Sequence, residues 1–127
     1  IKLASKVFYL NEKPSDAITA LLPLSENDEL KDPHFLFILA DSLFQKQRFD
    51  ESKALFSLLV EKDNTNHQII YRLATIEKIL GNQNEALKLF TNIVDSEDES
   101  SWKKAAEKEL EFYNFNQEFD KILNKNF

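Results

Sequence analysis

Between Pro33 and Lys46 the apolar positions are Phe35, Leu36, Leu39, Ala40, Leu43 and Phe44, the spacing of one face of a helix. Asp32 before Pro33 predicts the start of that helix, because its carboxylate can accept from first-turn amides and a proline loses nothing at the first helical position. The polar interval Gln45 to Arg48 separates it from Phe49, Ala54, Leu55, Phe56, Leu58, Leu59 and Val60, and Asp63-Asn64-Thr65-Asn66 ends the second run. The pattern predicts a helical hairpin. A second hairpin follows, with Ile69, Ile70, Leu73, Ala74, Ile76 and Ile79 on its first helix. After a turn at Gly81-Asn82, its second helix carries Ala86, Leu87, Leu89, Phe90, Ile93 and Val94. Gly81 stands where the chain leaves a helix, a place that commonly needs a left-handed backbone.

The two hairpins are copies of one another. Leu39, Ala40, Glu51, Leu55, Phe56 and Val60 return 34 residues later as Leu73, Ala74, Glu85, Leu89, Phe90 and Val94, and a fixed period of that size marks stacked repeats. Upstream, Leu3 to Leu10 and Pro14 to Leu22 predict a shorter pair, with Ala17 and Leu21 matching Ser52 and Phe56 at an offset of 35 and the extra residue placed in the polar connector Ser25 to Asp32. Downstream, Trp102, Ala105, Ala106, Leu110 and Phe112 predict one helix, and Phe115, Phe119, Ile122 and Leu123 a last one. The expected units are residues 1–32, 33–66, 67–100 and 101–127 of a single helical repeat domain. The outer two fit the period loosely, as terminal repeats do when one face has no neighbour.

The central units resemble tetratricopeptide repeats, whose pattern places an aromatic, then Leu and a small residue three and four later, then an aromatic, on the first helix, with Ala and Phe on the second. The first unit reads Leu36, Leu39, Ala40, Leu43, then Ser52 and Phe56; the second reads Ile70, Leu73, Ala74, then Ala86 and Phe90. Small residues suit a close helix crossing, and the large ring fills the gap between hairpins. Glu77 departs from the pattern where a large apolar residue is usual, and Asn64 and Asp98 replace the closing proline. The resemblance covers Pro33 to Ser100, and helix-hairpin arrays of another period are the structural alternative. It implies an all-α fold, a right-handed superhelix of about four antiparallel helix hairpins. It also implies a concave groove, lined by the first helix of each hairpin, that holds a peptide or helix of a partner protein.

Projecting that register places His34, Phe37, Ile38, Asp41 and Phe44 on the inner face of the first central unit, and Gln68, Tyr71, Arg72, Thr75 and Lys78 on that of the second. Phe37 and Tyr71 occupy equivalent positions, so the expected recognition patch is a pair of aromatic rings with Arg72 and Lys78 on one side and Asp41 on the other, aromatics and Arg being the residue types enriched at binding hot spots. The family's carboxylate clamp for chaperone tails is not expected. The loosely matched first unit offers Lys2 and Lys6, but Phe37, Asp41, Tyr71 and Thr75 stand where further clamp residues belong, and only Arg72 fits.

Composition narrows the remaining choices. One glycine and three prolines are too few for the turns of an all-β fold, and a net charge of −6 has the wrong sign for a phosphate backbone or an anionic membrane surface, so nucleic acid is not an expected partner. No apolar run approaches the roughly 20 residues that span a bilayer. The absence of cysteine suits cytoplasm and periplasm alike and leaves the compartment of this soluble chain open. Opening on Ile1 with no methionine anywhere, the chain reads as part of a longer or processed protein. Its 11 phenylalanines, beside many Lys, Asn, Ile and Glu, fit the codon usage of an AT-rich genome, so their number alone implies no function.

No cofactor, metal or catalytic residue is expected. There is no glycine-rich phosphate loop, no thiol nucleophile and no local Ser, His and Asp arrangement. His34 and His67 open successive first helices, which would hold them about 10 Å apart, too far to share a metal. Trp102 is expected in the core, and Glu97, Asp98 and Glu99 at the solvated start of a helix whose dipole favours them. The expected function is a non-enzymatic protein–protein interaction module, with a structural or assembly segment of a longer repeat array as the alternative and self-association through the end helices as a second option.

Overall fold

Each first-helix start is fixed by a side chain that meets amides the helix cannot satisfy itself. The computed structural model describes residues 13–21 and 32–126. The helix expected over Leu3 to Leu10, the residues Lys2 and Lys6, and the connector from Ser25 to residue 31 lie outside them. Among the described residues there are six helices and no strand: α1 (Pro14–Leu21), α2 (Pro33–Gln45), α3 (Phe49–Lys62), α4 (His67–Ile79), α5 (Gln83–Val94) and α6 (Ser101–Asn126). The all-α class follows directly. No helix among the described residues is long and apolar enough to cross a membrane.

The caps carry the 34-residue period as faithfully as the apolar residues do. Asp32 Oδ1 accepts from the amide of His34 at 3.0 Å, and Asn66 Oδ1 accepts from the amide of Gln68 at 3.1 Å. Ser100, one further period along, accepts at Oγ from the amide of Lys103 at 3.3 Å. The first helices also end identically. The amides of Gln47 and Arg48 donate to the carbonyls of Phe44 and Leu43, at 3.0 and 2.9 Å, and those of Gly81 and Asn82 donate to Lys78 and Glu77, at 3.1 and 2.8 Å. Both turns pass through a left-handed residue, Gln47 with φ 62° and Gly81 with φ 87°. That conformation costs a β-carbon-bearing residue free energy that glycine avoids.

The chain divides into two compact units, Ile1–Ile69 and Ile70–Phe127. In the first, α1 packs on α2 and α2 on α3, around Ile18, Ile38, Leu39 and Leu43 with Phe35 and Leu55 against them. The two helices of the hairpin approach closely at Ala40, where the hydroxyl of the buried Ser52 donates to the Ala40 carbonyl at 2.7 Å. Phe56, fully buried, meets the ring of Phe37 edge-on at 5.9 Å.

The second unit reuses the scheme. Ala74 and Ala86, one period after Ala40 and Ser52, are buried, and Phe90 meets the ring of Tyr71 edge-on at 5.4 Å. Helix α6 then packs on α5. Here the structure departs from expectation: the last two predicted helices are one continuous helix of 26 residues. Tyr113 and Asn114, which stand between Phe112 and Phe115, are neither glycine nor proline, so nothing withdraws a backbone bond or relaxes φ there. With no second helix to fold back, α6 turns Ala106 fully inward and Trp102, Ala105, Leu110 and Tyr113 partly so, and leaves Lys104, Glu107, Lys108 and Glu111 exposed.

Candidate functional site

Two first helices, α2 and α4, carry the residues expected to recognise a partner. On α2, His34 is exposed in the first turn with its ring 5.6 Å from that of Phe35. Phe37 is half-buried against Phe56, and Phe44 is half-buried against Phe49 at a ring separation of 5.7 Å, across the turn that joins the hairpin. Asp41 is 3% exposed and accepts from Gln45 Nε2 at 3.3 Å, and Ile38 belongs to the core around Ile18. Of the predicted contact residues on this helix, His34 and the outer edges of Phe37 and Phe44 reach the surface. Gln68, in the first turn of α4, is half-buried and places its amide on the Asn66 cap.

Further along α4 the structure brings predicted residues together. Tyr71 is half-buried between Phe90 of α5 and Trp102 of α6, the latter at a ring separation of 5.3 Å and a tilt of 46°. Trp102, expected in the core, packs on Tyr71 but is only partly buried. Lys78 Nζ lies 2.9 Å from Glu109 Oε2. Burial, then the negative charge of Glu109 and a hydrogen bond to it, push the Tyr71 phenol above its usual range, while the nearby Lys78 and Arg72 pull the other way. At neutral pH Tyr71 is a neutral donor. Thr75 turns its hydroxyl back to the Tyr71 carbonyl at 2.9 Å.

Glu109 is the residue the sequence reading missed. It stands one period after Thr75, as Trp102 does after Gln68 and Ala105 after Tyr71, so carrying the 34-residue offset once more extends the same face onto α6. The second-unit patch then reads Tyr71, Arg72, Thr75 and Lys78 from α4 with Trp102 and Glu109 from α6. It is amphipathic, with an aromatic floor and both signs of charge at its edge. Such a surface can stack an apolar side chain and orient a polar one.

Elsewhere the polar features act locally. Thr65 donates to the Asp63 carboxylate through both its hydroxyl and its amide, holding that exposed acid below the usual carboxylate range and shaping the turn before α4. Lys103 Nζ spans the Ser96 carbonyl at 3.0 Å and Glu99 Oε1 at 3.1 Å, tying the acidic loop to the start of α6. His67 is 8% exposed at the head of α4. Among the described residues no three His, Asp or Glu side chains are grouped as a metal site would need. Comparison of the chain with protein-family models and with curated proteins finds no match.

Proposed function

We propose that this chain is a non-enzymatic interaction module, a tetratricopeptide-like right-handed superhelix whose first-helix faces bind an extended peptide or a helix of a partner protein. The observation that carries this reading is the 34-residue recurrence, present in the apolar residues, in the N-caps Asp32, Asn66 and Ser100, and in the left-handed turns at Gln47 and Gly81. Repeats of this kind bury one face per helix and present the other as an extended concave surface. The expected contacts are His34, Phe37, Phe44 and Gln68 in the first unit and Tyr71, Arg72, Thr75 and Lys78 in the second, with Asp41 acting from beneath the surface. A net charge of −6 favours a partner segment carrying basic residues beside its apolar anchors.

Because Phe37 and Tyr71 also hold their hairpins together, truncating them would confuse binding with folding. The informative variant combines His34→Ala, Gln68→Ala and Lys78→Ala, which removes contact groups from α2 and α4 and leaves Phe37 and Tyr71 packed on Phe56 and Phe90. With a partner identified by affinity capture, calorimetry is expected to show affinity reduced about tenfold or more, each lost contact group contributing on the order of 1 kcal/mol. Unchanged affinity with an unchanged melting temperature would place the binding surface elsewhere.

A further inference from the structure

The outer half of α6 is the largest apolar exposure among the described residues. Phe112, Phe115, Phe119, Ile122 and Leu123 are 60%, 66%, 51%, 56% and 41% exposed. Phe112, Phe115, Phe119 and Ile122 are spaced by three, four and three residues, which aligns them in one seam with the alternation of a coiled coil, and Leu123 flanks it. The rings of Phe115 and Phe119 already stack on each other at 6.3 Å. The opposite face carries Asn114, Gln117, Asp120 and Lys121. An aromatic side chain presents roughly 150–250 Å², so these five offer on the order of 500 Å² of apolar surface, the size at which a patch on a monomer usually has a function.

We propose that the outer half of α6 pairs with the same segment of a second copy of this chain, antiparallel, with Phe115 of each copy packed on Phe119 of the other. Two observations select a second copy as the occupant. The two seams together bury on the order of 1,000 Å², the lower bound for a specific interface and the range of weak, reversible ones. Flanking charge selects the direction. Glu111 and Lys125 lie two heptads apart on the same side of the seam. With Phe112 opposite Ile122 and Phe115 opposite Phe119, Glu111 of one copy comes beside Lys125 of the other, twice per dimer. Parallel pairing in register would instead bring Glu111 beside Asn116 and give no opposite-charge pair. Glu118 meets its own symmetry mate near the dyad, and there each Glu118 keeps Lys121 at 3.4 Å as a neutralising neighbour.

Sedimentation velocity of the 127-residue chain, from micromolar to millimolar concentration, is expected to show a monomer–dimer equilibrium. Phe115→Gln/Phe119→Gln alters only exposed side chains, so it should keep its circular dichroism and melting temperature while the dimer weakens by about a hundredfold. Glu111→Lys and Lys125→Glu should each weaken the dimer by up to about tenfold, and the two reversals combined should restore it. A chain that is monomeric throughout the range, or a dimer indifferent to the double Phe variant, overturns the proposal. Failure of the combined charge reversal to restore association overturns the antiparallel register.

Discussion

Phe90→Ala is expected to remove about 3–5 kcal/mol of stability, as is Phe56→Ala, because each ring fills its gap almost completely and leaves a cavity the helices cannot close. Phe56 is fully buried and Phe90 is 3% exposed, and each is met edge-on by an aromatic of the preceding helix. That edge contact adds about 0.5–1.5 kcal/mol beyond burial. A domain of this size has a total of about 5–15 kcal/mol to lose. Urea titration followed by far-ultraviolet circular dichroism checks both variants. Leu58→Ala, at a position 40% exposed on α3, serves as the reference and is expected to cost much less. A loss at Phe90 close to that of Leu58 would mean that the gap is not where the structure puts it.

The second large effect comes from adding volume instead of removing it. Ala40 and Ala74 are fully buried, and at Ala40 the partner helix comes close enough for Ser52 to bond the Ala40 carbonyl at 2.7 Å. Ala40→Leu places three more carbons at that approach, so the helices must part and the Ser52 hydroxyl loses its acceptor. Overpacking of this kind costs about 1–3 kcal/mol, and the stranded buried hydroxyl adds about 1–3 kcal/mol. Ala74→Leu is expected to suffer the packing loss alone, since its counterpart of Ser52 is Ala86. The same titrations, with Ala40→Gly as the control for helix propensity, separate the two contributions. Equal losses at Ala40 and Ala74 would deny the Ser52 bond any net worth.

Particular residues show what the sequence made legible and what it did not. The helices of the two central hairpins were readable because their apolar residues keep one helical face and Asp32, Asn66 and Gly81 punctuate them with side chains suited to those tasks. Gln47 hid its role. A glutamine gives no sign of a left-handed turn, and only its position 34 residues before Gly81 identifies it. Asp41 illustrates a different limit: helical register places it on the first-helix face, but register does not say how deeply neighbouring helices cover that face, and it is 3% exposed.

The end of the chain misled for a third reason. Its apolar residues continue at helical spacing through Asn114, and the expectation of a hairpin came from the repeat pattern rather than from any breaker. Once α6 runs straight, its outer apolar residues have no partner helix among the described residues, and the face that lies over α4 includes Glu109, a charged residue no hydrophobic pattern would select. The first-helix face was legible as a register. Its depth and its lateral neighbours were tertiary facts.

The central claim is that two hairpins share one backbone design and are followed by a single helix. Amide hydrogen exchange followed by nuclear magnetic resonance tests it most directly, since each turn amide reports whether its hydrogen bond exists. The account predicts matched protection of Arg48 and Asn82, whose amides close the two turns at 2.9 and 2.8 Å, together with unbroken helical protection through Tyr113, Asn114 and Phe115. Free exchange at either turn amide, or a gap in protection at Asn114, would contradict it.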